Sequence, residues 1–208
     1  MYSDNIEEIS NYIVASDFST DGRIVSLLNF LEEHLPEFPN KIKITEDTHE
    51  EILNQKLLRF LLSKTSLFWF IAENRNETGE SKSKPDFGVY ENIEVYDDNQ
   101  IRFFDIECKR LYHVTKSKQY VSGKTGGIQR FKENKHGVDL SHSAMIGYVE
   151  NETFSFWHNK VNSWISDVTE HLRMIASQKI VKLVSTHKRQ SPQFPTIELT
   201  HFWLKMNF

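Results

Sequence analysis

Across residues 87–95 the apolar side chains fall on alternate positions, Phe87, Val89, Ile93 and Val95, and that period of two predicts a half-buried strand. Asp97-Asp98-Asn99-Gln100 interrupts it with turn-forming residues. The apolar run then resumes at Phe103, Phe104 and Ile106, so the segment reads as a hairpin. In the second strand Phe104, Ile106 and Cys108 share one face, and Asp105, Glu107 and Lys109 share the other. A two-residue turn on Asp98-Asn99 pairs Asp97 with Gln100 and so on outward. That places Asp86, Gly88 and Tyr90 on the side of Glu107 and Lys109. Strict pairing sets Asp86 opposite Leu111, about 13 Å along the strand from Glu107. Convergence of the two carboxylates then requires a bulge or bend, for which Pro85 and Gly88 are permissive residues.

A period of 3.6 marks the helices. Ile24, Leu27, Leu28 and Leu31 form a stripe in an acidic region, 7–34, that holds one or two helices. Leu53, Leu57, Phe60 and Leu61 make a second stripe over 48–62. There Glu50 lies within roughly 35° of the stripe centre and Glu51 more than about 100° away. Thr48-His49-Glu50-Glu51 fits a capping box, with Thr48 as N-cap and Glu51 reaching back. Glu50 is left facing inward at the helix start, where the helix dipole also favours an acid. Val161, Ile165, Val168 and Leu172 predict a helix over 161–175. Residues 67–72, 144–149, 180–184 and 197–206 read as strands, the last two separated by a Ser191-Pro192 turn. Helices around a mixed sheet give a three-layer α/β or α+β domain. The expected divisions are an N-terminal helical extension (1–44), a core (45–150) and a C-terminal helix and strands (151–208).

Charges on a strand as apolar as 103–108 are costly unless paired or functional. Two carboxylates and a lysine on one sheet face suit a hard cation such as Mg²⁺, with Mn²⁺ as a substitute, together with a phosphodiester. Asp86, Glu107 and the backbone carbonyl of Cys108 are the candidate ligands. Lys109 would hold water or hydroxide and offset charge on the phosphorane oxygens.

The set Asp86…Glu107-x-Lys109 on a hairpin resembles the PD-(D/E)xK nuclease superfamily, with the match spanning residues 45–150. The resemblance implies the restriction-endonuclease-like fold, an α-β-β-β-α-β core and Mg²⁺-dependent phosphodiester cleavage, with an acid from the first helix joining the motif. Glu46, Glu50 and Glu51 are the choices for that acid, and the inward-facing Glu50 is the candidate upstream acid at the metal. The stretch GGIQRF…HG followed by SHSAMIGYV also resembles compact bacterial nuclease-like proteins of that superfamily. In some of its families a Gln or Arg on the helix after the E-x-K strand accompanies the core, which here points to Gln129 and Arg130.

Charge distribution extends the picture. The chain nets −4, and residues 1–51 carry twelve acids and three bases. Residues 109–135 hold eight bases, Lys109, Arg110, Lys116, Lys118, Lys124, Arg130, Lys132 and Lys135, against the single acid Glu133. A basic stretch beside a phosphate-cleaving site is the footprint expected for a nucleic-acid backbone, with Lys116, Lys118 and Lys124 as contacts. Tyr112, Tyr120 and Phe131 either stack on bases or pack. Gly126-Gly127 opens a short helix whose free amides would face phosphate, with Gln129 and Arg130 in its first turn. His136, Asp139 and His142 have neither a Cys pair nor an HExxH to support zinc. No apolar run approaches the roughly 20 residues of a membrane span. One cysteine and no readable secretion signal fit a reducing cytoplasm.

The expectation is a DNA endonuclease of bacterial restriction or phage defence, alone, as a homodimer or with a partner subunit. The alternatives are a non-catalytic nucleic-acid-binding or assembly subunit and a ribonuclease or toxin effector.

Overall fold

The computed structural model describes residues 21–45, 48–72, 84–91 and 102–207. Its centre is one open seven-stranded sheet. The strands are β1 (Phe68–Ala72), β2 (Phe87–Glu91), β3 (Arg102–Leu111), β4 (His142–Val149), β5 (Arg173–Ile175), β6 (Val181–Lys188) and β7 (Thr196–Lys205). Their order in space is β1-β2-β3-β4-β7-β6-β5. The β3–β4 and β4–β7 pairs are parallel and the other four antiparallel, so the sheet is mixed.

Helices cover both faces, and β4 shows the sorting. Ala144, Ile146 and Tyr148 enter a core with the stripe Ile24, Leu27, Leu28 and Leu31 of α1 (Gly22–His34) and with Leu53, Leu57 and Leu61. The short helix α2 (Phe38–Lys41) adds Phe38 to that core. Met145 and Val149, on the alternate positions, enter the opposite core with Ile128, Phe131, Trp157 and Val161.

Several expectations change here. Helix α3 (Glu50–Leu62) starts after His49, which makes no side-chain cap bond. Thr48 instead accepts the Thr45 N–H on its hydroxyl at 2.9 Å, closing a turn of its own, so the capping box does not form. The inward placement of Glu50 stands without it. The helix expected over 161–175 is α6 (Phe154–Ser163), started by Thr153, whose hydroxyl accepts the Phe156 N–H. After it the chain makes a 3-10 turn at Val168–Glu170 under the Asp167 cap, then strand β5. Apolar spacing continued past the helix end because Ile165 and Leu172 reach the same core from irregular chain, while Val168 is 73% exposed.

The register between β2 and β3 is also corrected. Phe87 pairs with Ile106, Gly88 with Asp105 and Val89 with Phe104, four residues from the pairing a tight turn would impose. One further step sets Asp86 beside Glu107, so no bulge at Pro85 or Gly88 is needed. The irregularity lies between Val89 and Tyr90, where Phe103 is the extra residue of β3. That explains why Phe103 and Phe104, consecutive in sequence, join one core. The predicted Asp98-Asn99 turn and the strand residues Ile93 and Val95 lie outside the described residues, as do 1–20.

Candidate active site at the edge of the third strand

Strand β2 begins at Phe87, so beyond Ile106 the β3 backbone has no β2 partner. Two carboxylates take its place. The Cys108 N–H donates to Asp86 Oδ2 at 2.7 Å, and the Arg110 N–H donates to Glu50 Oε2 at 3.1 Å. The first turn of α3 delivers Glu50, and its seat is fixed one turn on by buried Asn54, whose Oδ1 accepts the Tyr148 hydroxyl proton at 3.0 Å.

Glu107 and Lys109 project together from β3, 1% and 6% exposed. Lys109 Nζ lies 2.7 Å from Glu107 Oε1, 3.1 Å from Glu50 Oε1 and 2.9 Å from the Cys108 carbonyl oxygen. Arg130 approaches from the far side, its guanidinium 3.7 Å from Glu107 Oε1. Asp86, Glu107, Lys109, Glu50 and Arg130, the residues expected at the centre, therefore meet at one place.

The electrostatics are unbalanced. Burial, reinforced by the Glu107 carboxylate, pushes the Asp86 carboxyl from its ordinary 3.8 up to about 7. Burial also raises Glu50, against the pull of Lys109. For Lys109, burial works to lower the pKa, but Glu107, Asp86 and Glu50 together outweigh it and raise it. Among the described residues, no group of three or more His, Cys, Asp or Glu side chains converges as a metal site does. The acids are arranged instead around an ammonium ion.

One neighbour was weighed in the sequence only as a zinc ligand. His136 is fully enclosed, its Nδ1 3.5 Å from Glu107 Oε2, and neither ring nitrogen meets full hydrogen-bond geometry. The Lys84 backbone approaches the ring and favours its charged form. Burial first, then the cations Arg130, Lys109 and Arg102, nevertheless lower its pKa to about 3. The loop that carries His136 is pinned by Arg189, which donates to the Leu140 and Gly137 carbonyls at 2.7 and 2.9 Å. Asp105 adds a bond, accepting the Gly137 N–H at 2.7 Å. Gly137 holds a positive φ of 62°. No local sequence pattern signals this role.

Other expected contacts stand apart. In α5 (Gly127–Lys132) the Gln129 N–H is taken by the Val121 carbonyl at 2.9 Å, so it is not a free amide. The Gln129 side chain donates to Glu133 at 2.7 Å rather than joining the cluster. Gly126 is required sterically, since a Cβ there would lie 2.5 Å from the Ser122 backbone. Tyr120 and Phe131 are fully buried and pack, which removes them as base-stacking residues.

Much of the basic segment is neutralised by acids elsewhere in the chain. Arg110 pairs with Glu150, Lys132 with Glu170 and Lys135 with Glu133, in addition to Lys109 and Arg130. Lys116, Lys118 and Lys124 are the exposed remainder, the first on α4 (Val114–Ser117) with its ammonium 5.8 Å from the Tyr112 ring. A second basic surface was not legible as one. A groove of about 410 Å³ beside α3 gathers Lys41, Lys43, Lys56 and Arg59 with Ile42 and Phe60, and among the described residues none of these four cations forms an ion pair.

A second polar cluster lies behind β6 and β7. The Trp203 indole donates to the Tyr120 hydroxyl at 3.0 Å, and that hydroxyl is 2.8 Å from His201 Nδ1. His201 Nε2 is 2.8 Å from Ser185 Oγ, itself 2.7 Å from His187 Nε2. His187 Nδ1 is 3.3 Å from Glu170 Oε2, which also accepts from Lys132. An indole only donates and a carboxylate only accepts. The arrangement that uses every proton therefore runs one way, from Trp203 to Glu170, and assigns His201 its proton on Nε2 and His187 on Nδ1. Ser185, His187 and Glu170 have the order of a nucleophile relay. Ser185, however, is wholly enclosed, so the chain is a closed structural network.

No family model, no curated protein and no solved structure matches the chain, so the geometry alone carries the functional reading.

Proposed function

We propose that this chain is a divalent-metal-dependent nuclease of the PD-(D/E)xK type, cleaving phosphodiester bonds in nucleic acid, with DNA as the first substrate to test. The observation that carries the reading is the meeting of Asp86, Glu107 and Glu50, from three separate stretches of chain, beside the buried Lys109 ammonium. The element order supports it: α3, three antiparallel strands, short helices, then β4 parallel to β3 follow the helix–three-strand–helix–strand order of that fold. Asp86, Glu107, Glu50 and the Cys108 carbonyl are hard oxygen donors that would hold Mg²⁺ or Mn²⁺. The chemistry such an ion supplies when bound is polarisation of the phosphate and a lowered pKa for water. Lys109 places positive charge where the phosphorane oxygens become more negative. Arg130 reinforces it from α5 and holds Glu107 in orientation. Lys116, Lys118 and Lys124 are the candidate contacts to the backbone away from the cut.

The near-complete enclosure of Glu107 and Lys109 favours a second reading, a nucleic-acid-binding subunit in which the cluster only closes the strand edge. A cleavage panel separates the two: plasmid, single-stranded DNA and RNA, each with Mg²⁺, Mn²⁺ or EDTA. The nuclease reading expects metal-dependent products, lost in EDTA and in Glu107→Gln. Binding without products under every metal leaves the subunit reading.

A further inference from the structure

We infer that the Lys109 ammonium occupies the cation position of this site, so that a divalent ion enters only when Lys109 swings out of its oxygen cage. The inference rests on the reading of the cluster as a metal site. Three of its four named donors are already engaged by Nζ: Glu107 Oε1 at 2.7 Å, the Cys108 carbonyl at 2.9 Å and Glu50 Oε1 at 3.1 Å. A lysine ammonium is a compact charge on a flexible four-carbon stem, so its position can change by rotation about side-chain bonds alone. What it leaves behind is the carboxyl oxygens of Glu107 and Glu50 and the Cys108 carbonyl it had engaged, with Asp86 beside them on the Cys108 amide and Arg130 3.7 Å from Glu107, an oxygen-lined place for a cation. The absence of a three-residue metal cluster among the described residues follows from the same geometry, since the acids are held around nitrogen.

Lys109 would thus oppose metal binding although cleavage requires it. Apparent metal affinity is reduced by the fraction of molecules with the cage open. With the ammonium seated in about nine molecules of ten, removing it tightens binding about tenfold.

The test uses Mn²⁺ alone, without nucleic acid, titrated calorimetrically into the full chain and into Lys109→Met. The expected result is binding about tenfold tighter, or more, in Lys109→Met. Equal or weaker binding by a folded variant overturns the inference, and so does an absence of binding by both proteins. A second measurement on the wild-type chain decides the matter if Lys109→Met fails to fold. Reductive methylation of Lys109, followed by peptide mass, should speed up severalfold at saturating Mn²⁺; an unchanged or slower rate overturns the inference. Failure of the nuclease reading shows separately, as no cleavage in any arm of the panel while Mn²⁺ binding and Lys109 release persist.

Discussion

Two buried polar clusters of this molecule solve the same problem in opposite ways. The chain from Trp203 to Glu170 spends every proton on an acceptor and ends in a carboxylate paired with Lys132. At the edge of β3, Glu107 and Glu50 contact one lysine, the neighbouring Asp86 is pushed toward its neutral form by its surroundings, and His136 is enclosed without a well-formed hydrogen bond. A satisfied network rigidifies. An unsatisfied one, with a carboxyl raised from 3.8 to about 7, is the kind of setting found where chemistry or ligand binding supplies the missing partner. The contrast identifies the β3 edge, rather than the serine–histidine–glutamate relay, as the place to look for activity.

The largest effect that would sharpen this contrast is on turnover. Lys109→Ala should lower cleavage by about a hundred- to thousandfold, the range for loss of one transition-state charge partner, while gel-shift affinity stays close to wild type. Wild-type rates in that variant would erase the distinction between the clusters. The relay should respond in stability instead. His187→Ala leaves the buried Ser185 hydroxyl proton without its acceptor and removes one of the donors to Glu170, and it should cost about 3 kcal/mol in urea unfolding, with kcat unchanged at a temperature where the variant stays folded. A loss of kcat there would mean the relay reaches the active site.

Acid and base should pull the two clusters apart. Asp86 is raised from 3.8 to about 7, so between those values the folded chain holds more protons than the unfolded one, and stability falls as pH rises through the window. His187 is lowered from 6.5 to about 4, mainly by burial, so there the unfolded chain holds more protons and stability falls as pH drops. His136 slopes the same way as His187. Melting temperatures across this range should lose the decline toward pH 7 in Asp86→Asn and part of the acid-side decline in His187→Asn. Identical profiles for all three proteins would remove the electrostatic part of the contrast. The smallest effect concerns the surface. Reversing Lys116, Lys118 and Lys124 to Glu should weaken binding and flatten its salt dependence, by about 0.7–0.9 in slope for each phosphate no longer neutralised. Reversing Lys43, Lys56 and Arg59 is the matched comparison. If only the groove variant loses slope, the backbone path runs along α3.

Much of the site was legible because its residues sit in strongly patterned elements. The alternation around Phe104 and Ile106 oriented Glu107 and Lys109, and the stripe of α3 turned Glu50 inward. The distance from Asp86 to Glu107 was not legible, because register depends on a connection whose length cannot be read from turn residues alone. His136 was hidden for another reason: its position comes from Arg189 and Asp105, remote in sequence and joined to it only by the fold. The basic segment carries less free charge than its composition suggests, because two of its acids, Glu150 and Glu170, lie beyond the window in which charge was summed. Helix α6 shows the same limit from the other side, since Val161, Ile165 and Leu172 share a core without sharing a helix.

The short reach of β2 has a practical consequence. An unpaired strand edge is a template on which another chain can add a strand and aggregate. Asp86 and Glu50 occupy the two amides that such an intruder would use, so at β3 the same acids act as guards against misassembly. Alanine at either position would strip that guard, and a precipitated sample could be mistaken for a catalytic defect. Asp86→Asn and Glu50→Gln keep an oxygen for the amide while removing the charge, and they are the substitutions through which loss of chemistry can be seen by itself.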